Sequence, residues 1–244
     1  MTIRFANRRF SPSVVGTVLV VVGVVLFVNL GFWQLRRADE KRQIEAAYAQ
    51  GQESTVTLER ANLDALPRYQ KVRARGRYRA ERQILLDNMP SAEGRPGYRV
   101  LTPFELEGGG VVLVDRGWIP LVNRQTDQPD IGVDENPREV SGTLDELPRP
   151  GLRVGDPAAE PADKWPLLLN FPTREMIERA LGTRVGKHIV LLDAAAPDGY
   201  QRQWQRLTQL SPERHVGYAV QWFAFAFVAV VLYVVLSLRR GHDQ

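Results

Sequence analysis

The chain carries two long stretches in which apolar and polar positions stop alternating. Phe10–Leu35 runs 26 residues without a charged side chain, and nine residues of Val14–Leu30 are valine. Val216–Leu238 adds 23 more uncharged residues. As helices at 1.5 Å per residue they reach about 39 and 35 Å, against about 30 Å of bilayer hydrocarbon. The core helix of a soluble protein rarely exceeds about 14 wholly uncharged residues, so the pattern predicts two membrane spans. The first stretch is also too long for the apolar core of a secretion signal, which is roughly 7–15 residues. It runs into Arg36-Arg37-Ala38-Asp39-Glu40-Lys41 with no small-residue cleavage pattern before it, and reads as an uncleaved anchor. The expected plan is a tail over 1–12, a span over 13–35, a domain over 36–214, a span over 215–238 and a tail over 239–244.

Between the spans the periods shorten. Glu40–Gln50 continues the first span as a helix. Lys71-Val72-Arg73-Ala74-Arg75-Gly76-Arg77-Tyr78-Arg79 alternates with period two, which puts five cations on one face of a strand. A solvated sheet face and a docking face for an acidic surface both fit that pattern. Further strands are expected at Gln83–Asp87, Tyr98–Leu106, Val111–Ile119, Glu139–Leu144 and His188–Asp193, with Gly108-Gly109-Gly110 as a hairpin turn. Thr173 is placed to cap a helix striped by Met176, Ile177, Ala180 and Leu181 and ended by Gly182. Pro148–Pro166 holds five prolines and reads as a surface loop. The fold class is therefore a membrane protein, with two transmembrane helices flanking a β-rich α+β extracytoplasmic domain.

Composition narrows the chemistry. There is no cysteine, which removes disulfides, Cys-ligated metal sites and thiol nucleophiles. Three histidines make an all-His metal cage a poor reading. The net charge of +4 suggests nucleic acid until the charges are located. The tails hold five of the 32 basic and one of the 28 acidic side chains, so residues 36–214 are neutral overall. A nucleic-acid surface would need the excess on the domain, and that partner is dropped. Arg-bearing tails instead meet anionic headgroups and place both termini in the cytoplasm, with the domain outside. Arg36, Arg37, Lys41 and Arg42 crowd the other face of span one, but long translocated domains are largely exempt from the rule. Without an organelle presequence, the expected location is the bacterial plasma membrane, with the lipid bilayer as a partner.

Hydrolase signatures are absent, and no spacing pairs two carboxylates as acid and base, so an enzyme is not expected. The informative stretch opens span two: Arg214-His215-Val216-Gly217-Tyr218-Ala219-Val220-Gln221-Trp222-Phe223. Helical spacing puts His215, Tyr218, Ala219 and Trp222 on one face, with Ala219 leaving a gap between aromatic neighbours. A neutral imidazole there could be an axial ligand for haem iron, with Arg214 or Arg206 reaching the propionates. The alternative is an interfacial belt, with Trp33 at the matching depth and His215 touching headgroups.

Four blocks together resemble the surfeit locus protein 1 family: Leu30-Gly31-Phe32-Trp33-Gln34-Leu35-Arg36 with Lys41, Pro96-Gly97-Tyr98-Arg99-Val100-Leu101-Thr102-Pro103-Phe104, Val114-Asp115-Arg116-Gly117-Trp118-Ile119-Pro120, and His215–Phe223. They stand in family order and nearly span the chain. The resemblance implies a non-catalytic role in assembling haem-copper cytochrome c oxidase of the respiratory chain. It implies a chaperone that holds or delivers haem a to the oxidase large subunit, with haem a synthase as a second partner. The family's haem-binding histidine corresponds to His215, bound to the haem iron, and an aromatic stabiliser corresponds to Trp222. Tyr218 and Arg214 complete the expected cofactor site. A haem-free scaffold that binds oxidase subunits is the alternative. Asp115 departs from the asparagine usual in the family and is expected at a strand end. Gly16 and Gly23 offer a smooth face for span two or for a client helix.

Overall fold

The computed structural model describes residues 4–5, 8–87, 89–91, 93–121, 129–148, 164–170, 172–202, 204 and 211–240. In chain order these form β1 (Arg4–Phe5), β2 (Arg8–Phe10), α1 (Val14–Gln52), β3 (Thr55–Thr57), β4 (Lys71–Tyr78) and β5 (Ile84–Leu86). There follow β6 (Gly97–Leu106), β7 (Val111–Pro120), β8 (Arg138–Asp145), β9 (Leu167–Leu169), α2 (Arg174–Leu181), β10 (Val185–Leu192), α3 (Pro212–Ser237) and β11 (Leu238–Arg240). The chain divides into two compact units, one built on α1 to Glu45 with α3, the other beginning at Ala46.

The second unit is a barrel. β4 pairs antiparallel with both β8 and β6, β6 with β7, and β8 with β10, while β7 and β10 pair parallel and close the ring. The cycle β4-β6-β7-β10-β8 is a five-stranded Greek-key barrel with the connectivity of the OB class. β3 extends it beside β4, and β5 with β9 extends it beside β6. Because both faces of several strands are covered, β7 is buried from Val111 to Ile119. Val112 and Val114 point into the barrel core with Val72, Ala74, Phe104 and Val190. Val111 and Leu113 join an outer layer with Leu101, Ile177 and Ile189. Helix α2 covers that layer. Thr173 Oγ1 accepts from the Met176 amide at 3.2 Å, Ile177 is fully buried, and Gly182 ends the helix at φ 66°.

The six expected strands and the triple-glycine turn are all present, the turn being closed by Leu106 N donating to Gly110 O at 3.0 Å. β3 and β9 were not expected, each being only three residues long. Most of the expected Pro148–Pro166 loop, residues 149–163, lies outside the described residues. The cationic face of β4 is not bare. Arg75 lies directly across from Glu139, and Arg77 from Glu105. Glu139 takes Arg73 and Arg75 at 3.1 Å each, Glu105 takes Arg77 and Arg79 at 3.3 Å, and Lys71 meets Asp193 at 2.6 Å. Such exposed pairs order the face more than they stabilise it.

In the first unit α1 and α3 are long and apolar enough to cross a membrane, with only 6% and 11% of their apolar windows buried. They run antiparallel, and β1, β2 and β11 gather at one end of the pair. There β2 pairs with β1 and with β11, bringing Arg9 opposite Arg239 along the backbone.

Candidate functional site

Helix α3 starts where Pro212, set for the first turn by its fixed φ, follows Ser211. That start puts His215 in the first turn, on the face turned to α1. His215 is 7% exposed, and its Nδ1 lies 2.8 Å from Gln34 Oε1. A carboxamide oxygen only accepts, so in the tautomer that makes this bond Nδ1 donates and the lone pair sits on Nε2, as in a metal-ligating imidazole.

The rest of the helix interface is built from close approach. Ala219 and Ala226, seven residues apart, are both buried. Gly31 meets Phe223 so closely that a Cβ there would lie 2.5 Å from Phe223 Cε1. Trp222 stacks on Phe27 with centroids 5.8 Å apart, and Phe225 meets its edge at the same distance. Near the other end Thr17 and Tyr233 share a hydroxyl hydrogen bond of 2.6 Å.

These contacts change three expectations. Ala219 is 0% exposed, so the gap expected beside it is filled by α1. Tyr218 is 46% exposed and lies off the face that His215, Ala219 and Trp222 share. Neither Gly16 nor Gly23 is approached by α3; Gly31 makes the close crossing instead. Arg214 is exposed beside His215, while Arg206 lies outside the described residues. Sequence reading passed over Gln34, although an amide at the end of an apolar run was a usable signal. Among the described residues no three His, Asp or Glu side chains gather as a metal site.

In the barrel unit, the Asp115–Trp118 block has a structural task. Asp115 is not at a strand end but in the middle of β7, with 0% exposure, at the register shift between β6 and β7. Burial pushes its carboxyl up, against the lowering effect of the Arg99 guanidinium that pairs with it. Arg116, also buried, donates to Asp198 O at 2.6 Å, Ile131 O at 2.9 Å and Gln83 Oε1 at 3.0 Å. Its guanidinium also lies over the Tyr78 and Tyr200 rings, at 5.7 and 4.9 Å. Burial raises the Tyr78 phenol to about 12. Gly117 takes φ 113°, and a Cβ there would come 2.8 Å from Gln201 O. Trp118 donates from Nε1 to Met89 O at 2.7 Å. The block ties β7 to the segments around Gln83, Met89, Ile131 and Asp198.

A sequence profile of the SURF1 family matches residues 21–227, which takes in Gln34, the Asp115 block and His215. The chain belongs to the SURF1 family. A SURF1-like protein of Rickettsia conorii is 28% identical over 233 residues, covering 91% of this chain and 90% of its own length. One from Rickettsia felis is 29% identical, covering 89% and 94%. An uncharacterised SURF1-like protein of Mycobacterium bovis is 24% identical, covering 90% and 82%. The match to SURF1 relatives thus runs through helix pair and barrel alike.

Proposed function

We propose that this SURF1-family chain is a non-enzymatic assembly factor for haem-copper cytochrome c oxidase, anchored in a bacterial plasma membrane by α1 and α3. The SURF1 family is one of cytochrome oxidase assembly factors, which supports the role. Two apolar helices whose outer faces are uncovered support the anchoring. Both termini then lie at one membrane face, the cytoplasmic one by the arginines of the tails, and the barrel lies outside.

Within that role the chain holds or delivers haem a to the oxidase large subunit, with haem a synthase as the source-side partner. The observation that carries this reading is the Gln34–His215 hydrogen bond. In the tautomer that makes this bond the lone pair is on Nε2, which would ligate the iron that a bound haem supplies. Trp222 and Tyr218 offer aromatic surface on α3, and Arg214 offers a cation to a propionate at the wet end. An isoprenoid tail such as that of haem a belongs in lipid, at about 0.8 kcal/mol per buried CH₂.

The burial of His215 and Ala219 favours a second reading, a haem-free scaffold whose helices bind oxidase subunits. Co-expression with a haem a biosynthesis pathway, followed by an optical spectrum of the purified chain, separates the two. A haem a spectrum that is lost in His215→Ala supports the first, and a colourless wild-type protein supports the second.

A further inference from the structure

The polar side chains of α1 within its apolar stretch are few, and most have evident partners. Thr17 bonds Tyr233 and Gln34 bonds His215, so both serve the contact with α3. Asn29 is different. It lies two residues before Gly31, about 160° around the helix from the close crossing with α3, and it is exposed. Its Nδ2 donates to Val25 O at 2.7 Å within the same helix. Among the described residues its Oδ1 and second N–H have no partner. In water this would mean nothing; in hydrocarbon it leaves an acceptor and a donor unsatisfied.

The same face carries Val18, Val22, Val25 and Trp33, exposed by 55, 62, 55 and 51%. Val18, Val22, Val25 and Asn29 follow each other by four, three and four residues, the spacing of a helix–helix seam. On an apolar helix any face shows that spacing, so the valines alone say nothing of what covers it. The carboxamide does. It offers one donor and one acceptor, and its complement is another carboxamide at the same depth. A second copy of this chain, inserted with the same orientation, supplies that group at the matching height without further requirement. In that spacing Asn29 takes an a position, where a single asparagine fixes the register and the number of partner helices.

We infer that two copies of the chain pair through the outer faces of their α1 helices, with the Asn29 carboxamides exchanging hydrogen bonds across a two-fold axis. The inference rests on the reading that α1 lies in a bilayer. The chain has no cysteine, so single cysteines report contacts without background.

The test oxidises membranes containing the full-length Val22→Cys chain, beside Val231→Cys on α3 as a control. Carbonate extraction of the same membranes checks anchoring independently. The expected result is a disulfide-linked dimer from Val22→Cys and none from Val231→Cys. Adding Asn29→Leu should lower the dimer about threefold, and Asn29→Gln should keep it. A chain retained in the membrane that gives no Val22→Cys dimer, a dimer indifferent to Asn29→Leu, or an adduct with a different protein overturns the pairing and leaves the anchoring reading standing. Release by carbonate overturns both.

Discussion

His215 and Gln34 stand 181 residues apart in the chain and share a 2.8 Å hydrogen bond between α3 and α1. The bond couples two properties that could have been separate, the packing of the helix pair and the protonation pattern of the imidazole. Replacing Gln34 by leucine should keep the helices apolar but free the ring to change tautomer and rotate. Haem a affinity of the purified chain, followed by optical titration, should fall about tenfold or more, as for other partners of ligating histidines. An unchanged titration would remove Gln34 from the site.

Gly31 is needed for its lack of a side chain. A Gly31→Val chain should drive the new methyls into Phe223 and weaken the helix pair by about 1–3 kcal/mol. Phe223→Ala should restore much of that loss in the double variant, because the two sites meet. Reversible unfolding in detergent checks both; additive losses would contradict the contact.

The barrel has its own pressure points. Ile177 is the fully buried contact of α2 with the outer layer, and Ile177→Ala should cost about 2–5 kcal/mol. Thr173→Ala removes only the cap and should cost about 1 kcal/mol. Denaturant unfolding of the two variants should preserve that order.

Acid should loosen the barrel through His188. Burial, with Lys187 and Arg68 adding to it against Glu146 and Asp145, holds this imidazole below its ordinary value, and among the described residues Nδ1 has no partner. The unfolded chain binds a proton near about pH 6.5, the folded chain only at lower pH. Stability from this group is therefore present above about pH 6.5 and is lost as pH falls toward the folded value. His188→Gln should flatten the stability profile between about pH 7 and 5. A variant with the wild-type slope would assign the acid sensitivity elsewhere.

Much of this was legible because local signals agreed with the fold. The alternation of Lys71–Tyr78, the capped helix from Thr173 to Gly182 and the glycine turn each settle their own geometry within a few residues. Barrel closure was not legible, since it depends on β4 pairing with both β6 and β8. Asp115 looked like an end-of-strand residue because a carboxylate in mid-strand is costly, and Arg99, brought in across the register shift, with the Gly117 amide donating at 3.0 Å, makes it tolerable there. The helix packing around the candidate site was half legible. Helical spacing picked out His215 and Trp222, but it described α3 alone and so left Ala219 as an opening. Its filling by α1, and the part played by Gln34, follow from which face the partner helix takes.

The most direct measurement is the visible spectrum of the full-length chain purified from cells that make haem a, taken beside His215→Ala and Gln34→Leu. The account predicts a haem a spectrum for the wild type, none for His215→Ala and a weakened one for Gln34→Leu. A colourless wild-type chain, or a spectrum indifferent to His215, would contradict it.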